Sequence, residues 1–107
     1  MAGKFLRIAA VADIPPGTAA GFVINGVDVA VCNVDGAFYA IHNVCTHADA
    51  LLTDGDLEGA AIVCPRHGAS FDVRTGAVLS MPAAYPVRTY ETKVEGGDIF
   101  IKVDEDD

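Results

Sequence analysis

Tryptophan is absent from the 107 residues, histidine and cysteine occur three times each, and 7 lysines and arginines face 15 aspartates and glutamates. The shortage of cations leaves a net charge of −8. A surface of that sign repels nucleic acid and anionic membranes, so neither is expected as a partner. No apolar run approaches the ~18 residues that a membrane-spanning helix needs. The start, Met1 to Arg7, lacks a charged stretch followed by a sustained apolar segment and a cleavage site, so a cytoplasmic protein is expected. No nucleophile–base pairing and no phosphate-cradling glycine loop is visible, and no internal repeat, low-complexity stretch or linker interrupts the chain. What is present, 51% hydrophobic residues, argues against disorder, and the length suits one domain over residues 1–107 with a single modest core.

The apolar residues alternate in short runs rich in valine, isoleucine and aromatics, which predicts an all-β fold. Strands are expected over Phe5 to Val11, Ala20 to Ile24, Val27 to Val34, Ala37 to Ile41, Ala60 to Val63, Ser70 to Asp72, Val87 to Val94 and Asp98 to Val103. Asn25-Gly26, Asp35-Gly36 and Gly96-Gly97 are two-residue hairpin turns, because a type I′ turn needs positive φ at both central positions and these residues tolerate it. The acidic Asp104 to Asp107 reads as a frayed, solvated tail.

Two of the three histidines pair with two of the three cysteines, as Cys45-x-His47 and Cys64-x2-His67, with 16 residues between the pairs. Two thiolates and two imidazoles brought to one point make a metal site. The candidates are a structural zinc and a [2Fe–2S] cluster in which histidines replace two of the usual four cysteines on one iron. Common zinc fingers bring paired cysteines first and paired histidines last, whereas here each loop carries one of each. A mixed-ligand cluster needs that order: Cys45 and Cys64 go to one iron and His47 and His67 to the other, so each loop serves both irons. The third cysteine, Cys32, has no partner for a disulfide and lies in the alternating run Val29 to Val34, where it reads as a small hydrophobe. His42, three residues before Cys45, reads as a hairpin-end histidine, and Arg66 as either a partner contact or a solvated loop residue.

The flanks of the ligands, Cys45-Thr46-His47-Ala48-Asp49 and Cys64-Pro65-Arg66-His67-Gly68-Ala69-Ser70-Phe71-Asp72, resemble the two cluster loops of Rieske proteins. The likeness is to the small ferredoxins that serve bacterial aromatic-ring dioxygenases. It extends to Asp13-Ile14-Pro15-Pro16-Gly17, Val34-Asp35-Gly36, Asp54-Gly55-Asp56, Arg74-Thr75-Gly76 and Pro82, which in that family lies in a loop covering the cluster. The resemblance implies an antiparallel β-sandwich with a small inserted cluster-binding lobe at about residues 43–82, and one Rieske-type [2Fe–2S] cluster. It also implies a one-electron carrier, with no small-molecule substrate of its own, between a flavin-containing ferredoxin reductase and a terminal ring-hydroxylating oxygenase. The alternatives are an electron donor to another cytoplasmic redox enzyme, a nitrite-reductase small subunit, or a zinc-stabilised interaction module.

Respiratory, quinol-oxidising Rieske proteins add a cysteine on each loop, which form a bridging disulfide, and a serine and a tyrosine that donate hydrogen bonds at the cluster. Here Ala50 and Arg66 stand at the extra-cysteine positions, Ala69 at the serine and Phe71 at the tyrosine. The expected potential is therefore at the low end of the Rieske range, roughly −150 mV. A catalytic Rieske oxygenase would need a second iron on two further histidines and a carboxylate, and only His42 is left over. Basic docking faces on both partners would complement the acidic surface.

Overall fold

The computed structural model describes residues 4–45, 50–66, 68–80 and 85–103. Ten strands are formed among them: β1 (Lys4–Ala10), β2 (Ala19–Ile24), β3 (Val27–Val34), β4 (Ala37–His42), β5 (Asp56–Glu58), β6 (Ala61–Val63), β7 (Ser70–Asp72), β8 (Val78–Ser80), β9 (Thr89–Glu95) and β10 (Asp98–Val103). Two single 3-10 turns, Val11–Asp13 and Leu52–Asp54, are the helical pieces. All three predicted hairpin turns form with positive φ at both central residues, 51° and 79° at Asn25-Gly26, 52° and 92° at Asp35-Gly36, and 59° and 81° at Gly96-Gly97.

A six-stranded antiparallel sheet runs in the order β1-β10-β9-β4-β3-β2, and a four-stranded one in the order β5-β6-β7-β8. Within the large sheet, β4 and β9 pair only at Ala40–Tyr90 and Ile41–Thr89. The sheet folds back on itself there: Leu6 and Ile8 of β1 pack into the same core as Ala20 and Phe22 of β2, although these strands are its two edges. That core, with Val29, Val31, Phe38, Ala40, Ile99 and Ile101 at its centre, is the interior of the expected sandwich.

Strand β3 has no solvent face over most of its length. Val29 and Val31 point into the sandwich, while Ala30 and Cys32 point the opposite way, into a second core shared with the small sheet. Strand β4 behaves likewise, with Phe38 and Ala40 on one side and Ile41 on the other. Opposite faces follow from the two-residue period of a strand. The small sheet, inserted between β4 and β9, supplies Ile62 and Phe71 to this second core, and Leu52, Val73 and Val87 complete it.

The sequence-based strand limits agree to within a residue, with three corrections. β9 begins at Thr89 rather than Val87, because the Val87 N–H donates 2.9 Å to the Gly76 carbonyl and so belongs to the lobe. β5 (Asp-Leu-Glu) and β8 (Val-Leu-Ser) were not expected, and pairing with neighbours defines them. Two buried asparagines fix the loops. Asn33 Nδ2 donates to the Ile14 carbonyl at 2.7 Å and its Oδ1 accepts from Gly36 N at 2.8 Å, which ties the segment before β2 to the β3–β4 hairpin.

Complete burial of Cys32 pushes its thiol from the ordinary 9.0 up to about 12. The folded state therefore holds this proton longer than the unfolded state. Its contribution to stability is complete below pH 9 and is lost as the pH rises toward 12, at roughly 1.4 kcal/mol per pH unit. Urea unfolding of wild type and Cys32→Ala should show a stability gap that is ~1 kcal/mol narrower at pH 10 than at pH 8. A gap independent of pH would show that the thiol ionises as freely in the native state as in the unfolded chain.

Candidate metal centre

Two loops of matching design leave the strand scaffold. The first follows β4, where Val44 and Leu51 form an isolated antiparallel bridge and the Cys45 N–H donates 2.9 Å to the Ala50 carbonyl. The second follows β6, where the Cys64 N–H donates 2.7 Å to the Ala69 carbonyl. In both, the cysteine N–H reaches the carbonyl five residues ahead, so that cysteine and closing residue sit at the mouth of the loop. His47 falls between Cys45 and Ala50, and His67 between Cys64 and Ala69.

The first loop is held by Asn43, 3% exposed, whose Oδ1 accepts from Thr53 N and whose Nδ2 donates to Thr53 Oγ1, both at 2.9 Å. The Leu52 N–H also donates to the Asn43 carbonyl at 2.7 Å. Stranding that buried amide by removing its partners would cost about 1–3 kcal/mol. Gly55 then brings the loops together, since a side-chain carbon at this position would collide with the Val63 carbonyl oxygen. The exit of the first loop thus lies against the residue that precedes Cys64.

The turn after β7 is braced by an ion pair of its own. Asp72 Oδ1 accepts from Arg74 N at 2.9 Å and from Arg74 Nε at 3.1 Å, while Oδ2 accepts from Nη2 at 3.0 Å. Those hydrogen bonds from Arg74 hold the Asp72 carboxyl below the usual carboxylate range. The turn ends at Gly76, with φ 81°, so close to the Val87 carbonyl oxygen that no side chain fits.

Of the sequence-predicted ligands, the structure brings Cys45 and Cys64 into one core, 3% and 2% exposed, with Leu52, Ile62, Ala69 and Phe71 around them. His47 and His67 lie outside the described residues, as do Thr46, Ala48, Asp49, Pro82 and the acidic tail. His42 closes β4, its N–H donating 2.8 Å to the Arg88 carbonyl, and Arg66 is exposed on the second loop. Ala69 and Phe71 are completely buried in the core that holds Cys64. Among the described residues, no three metal-ligating side chains gather at one point.

The donor set fits a mixed-ligand [2Fe–2S] cluster. Two soft sulfur donors sit in an apolar core at the bases of adjacent loops, and each loop carries an imidazole between its closing residues. Sequence reasoning named candidate ligands from their spacing but gave no role to Asn43, to the close approach at Gly55 or to the Ser70–Ser80 hydroxyl pair, 2.7 Å apart. Asn43 had a signal, an amide directly after a strand and before a ligand loop. The serines had none, because their pairing depends on strand register.

The profile of the Rieske [2Fe-2S] domain matches residues 4–91. The 3-phenylpropionate/cinnamic acid dioxygenase ferredoxin subunit of Escherichia coli K12 is 48% identical over 89% of this chain and 90% of its own length. The ferredoxin component of the naphthalene 1,2-dioxygenase/salicylate 5-hydroxylase systems of Ralstonia sp. is 38% identical over 97% of this chain and 100% of its own. A chain from the complex of reduced oxygenase and oxidized ferredoxin in carbazole 1,9a-dioxygenase superimposes with a TM-score of 0.88 at 36% identity, covering 92% of both chains. A zinc module would use the same four donors, but relatives aligned almost from end to end decide between the two metals: the chain belongs to the Rieske [2Fe-2S] domain family.

Proposed function

We propose that this protein is the ferredoxin component of a ring-hydroxylating dioxygenase system, carrying single electrons from a flavin-containing reductase to a terminal oxygenase in the cytoplasm. The observation that carries the reading is the pair of equivalent loops, each opened by a buried cysteine and closed by the same backbone hydrogen bond. The family supplies the cofactor, one Rieske-type [2Fe–2S] cluster, whose chemistry is the reversible uptake of one electron. Cys45 and Cys64 would hold one iron and His47 and His67 the other, within a single domain spanning residues 1–107. The protein transfers electrons and transforms no substrate, as the naming of its relatives as ferredoxin components supports.

The chain's residues set how the electron enters and leaves. The two cysteines lie deep in the apolar core, while Pro65 and Arg66 beyond Cys64 are exposed, so the loop bases are dry and the second loop reaches the surface. Partners would dock over the histidine-bearing side, where the tunnelling distance is short. The net charge of −8 suits partners with basic docking faces and salt-sensitive association. Two neutral imidazoles in place of two thiolates lower the negative charge around the irons. That places the potential above plant-type ferredoxins, which lie near −400 mV.

Purified protein should carry two irons and two acid-labile sulfides per chain and be red-brown. His67→Ala should abolish that absorption, while Cys32→Ser, altered on the far wall of the same core, should retain it. One zinc without sulfide, or an intact cluster in His67→Ala, would contradict the ligand assignment.

Ala69 and Phe71 fill positions beside Cys64 without offering a donor. A midpoint potential of roughly −150 mV is expected, and Ala69→Ser combined with Phe71→Tyr should raise it, because hydrogen bonds to sulfur stabilise the electron-rich state. Protein-film voltammetry giving equal potentials for wild type and double variant would show that neither hydroxyl reaches sulfur.

A further inference from the structure

A tie on the second loop is left over once the ligands and the core are accounted for. Ser70 of β7 pairs with Ser80 of β8 and Phe71 with Val78, so Leu79 is an extra residue, a bulge in a strand of only three. Without it Leu79 would oppose Ser70. Bulges re-aim side chains, and this one sets Ser80 Oγ 2.7 Å from Ser70 Oγ and 3.4 Å from the Gly68 carbonyl oxygen. A hydroxyl has one proton to donate and a carbonyl none. Ser80 meets both neighbours only by donating to Gly68 and accepting from Ser70, so the order of donation is Ser70 to Ser80 to Gly68.

Gly68 is the residue after His67. It has φ 75°, and its N–H donates 3.2 Å to the Cys64 carbonyl. The next carbonyl, that of Ala69, accepts from Cys64 N. Both peptide carbonyls flanking Ala69 are therefore held, one by the loop's own cysteine backbone and one from outside by Ser80. No covalent staple shares this duty: besides Cys45 and Cys64 the chain has only Cys32, which lies in β3.

We propose that Ser80 is a positioning residue for the cluster: its hydroxyl, oriented by Ser70, fixes the Gly68 carbonyl and with it the backbone that carries His67. The proposal rests on His67 being a ligand. It locates the tie that restrains the second loop in a β-bulge outside both ligand loops.

The test uses the full-length, cluster-loaded protein and two variants of similar shape that differ in the hydroxyl, Ser80→Thr and Ser80→Val. Two readouts are followed, the rate at which excess chelator bleaches the visible absorption and the EPR g-values of the reduced state. Ser80→Val should bleach roughly fivefold faster, as expected when local opening is eased by one hydrogen bond's worth of free energy, with shifted g-values. Ser80→Thr should stay within about twofold of wild type with unshifted g-values. Ser70→Ala, which removes the orienting donor and leaves the bulge intact, should also bleach faster, and it keeps the test open if Ser80→Val does not accumulate. Equal bleaching and g-values in the Thr and Val variants, or wild-type behaviour of Ser70→Ala, would overturn the proposal. A wild-type protein with zinc and no sulfide would instead overturn the ligand assignment beneath it.

Discussion

The small sheet has no core of its own. Its apolar side chains, Ile62 and Phe71 among them, are buried only because β3 and β4 present Ala30, Cys32 and Ile41 on the face turned away from the sandwich. Everything at the metal centre depends on that shared wall. Two strands buried on both faces carry the sandwich core on one side and the cysteine-bearing core on the other, so the loops sit on the most constrained part of the scaffold. A cavity or a misplaced polar group in this wall acts on both cores at once, and close-packed interiors tolerate neither.

This double duty explains what was legible in the sequence. The strand Val27–Val34 was found to the residue, but its run Val29-Ala30-Val31-Cys32 was read as alternating, whereas it is apolar at every position and buried on both faces. The Asn-Gly, Asp-Gly and Gly-Gly hairpins were equally readable, because a positive φ admits few residue types. The candidate ligands were named from spacing, and Cys32 was set apart from them because it sits inside a strand. Strands β5 and β8, the Gly55 contact and the Ser70–Ser80 pair were not visible. Each arises from strand register or from close backbone approach between neighbouring segments, which no residue type announces.

The loops show how a small core organises a cofactor that neither loop could hold alone. The cysteine N–H of each loop closes on the carbonyl five residues ahead, Asn43 anchors the first loop to the 3-10 turn behind it, and Gly55 lets the two pack edge to edge. Ala50 and Arg66 stand where the resemblance would put a disulfide, so no covalent bond joins the two loops. On the proposed ligand assignment, binding the cluster and completing the fold of the lobe are linked, as they are wherever ligands from separate loops meet on a metal. The sandwich has a six-stranded ladder and a core that contains neither Cys45 nor Cys64.

Native-state hydrogen exchange compared between the cluster-loaded and the chelator-stripped protein tests that division most directly. The account predicts that the amides of Cys45, Leu52, Cys64 and Gly68, which close the two loops, lose protection on stripping, while the ladder amides of β1 and β10 and those of β2 paired to β3 keep theirs. Protection lost uniformly across both cores would contradict it, showing that the sandwich cannot stand without the cluster; protection retained in the loops would show that they close without any metal.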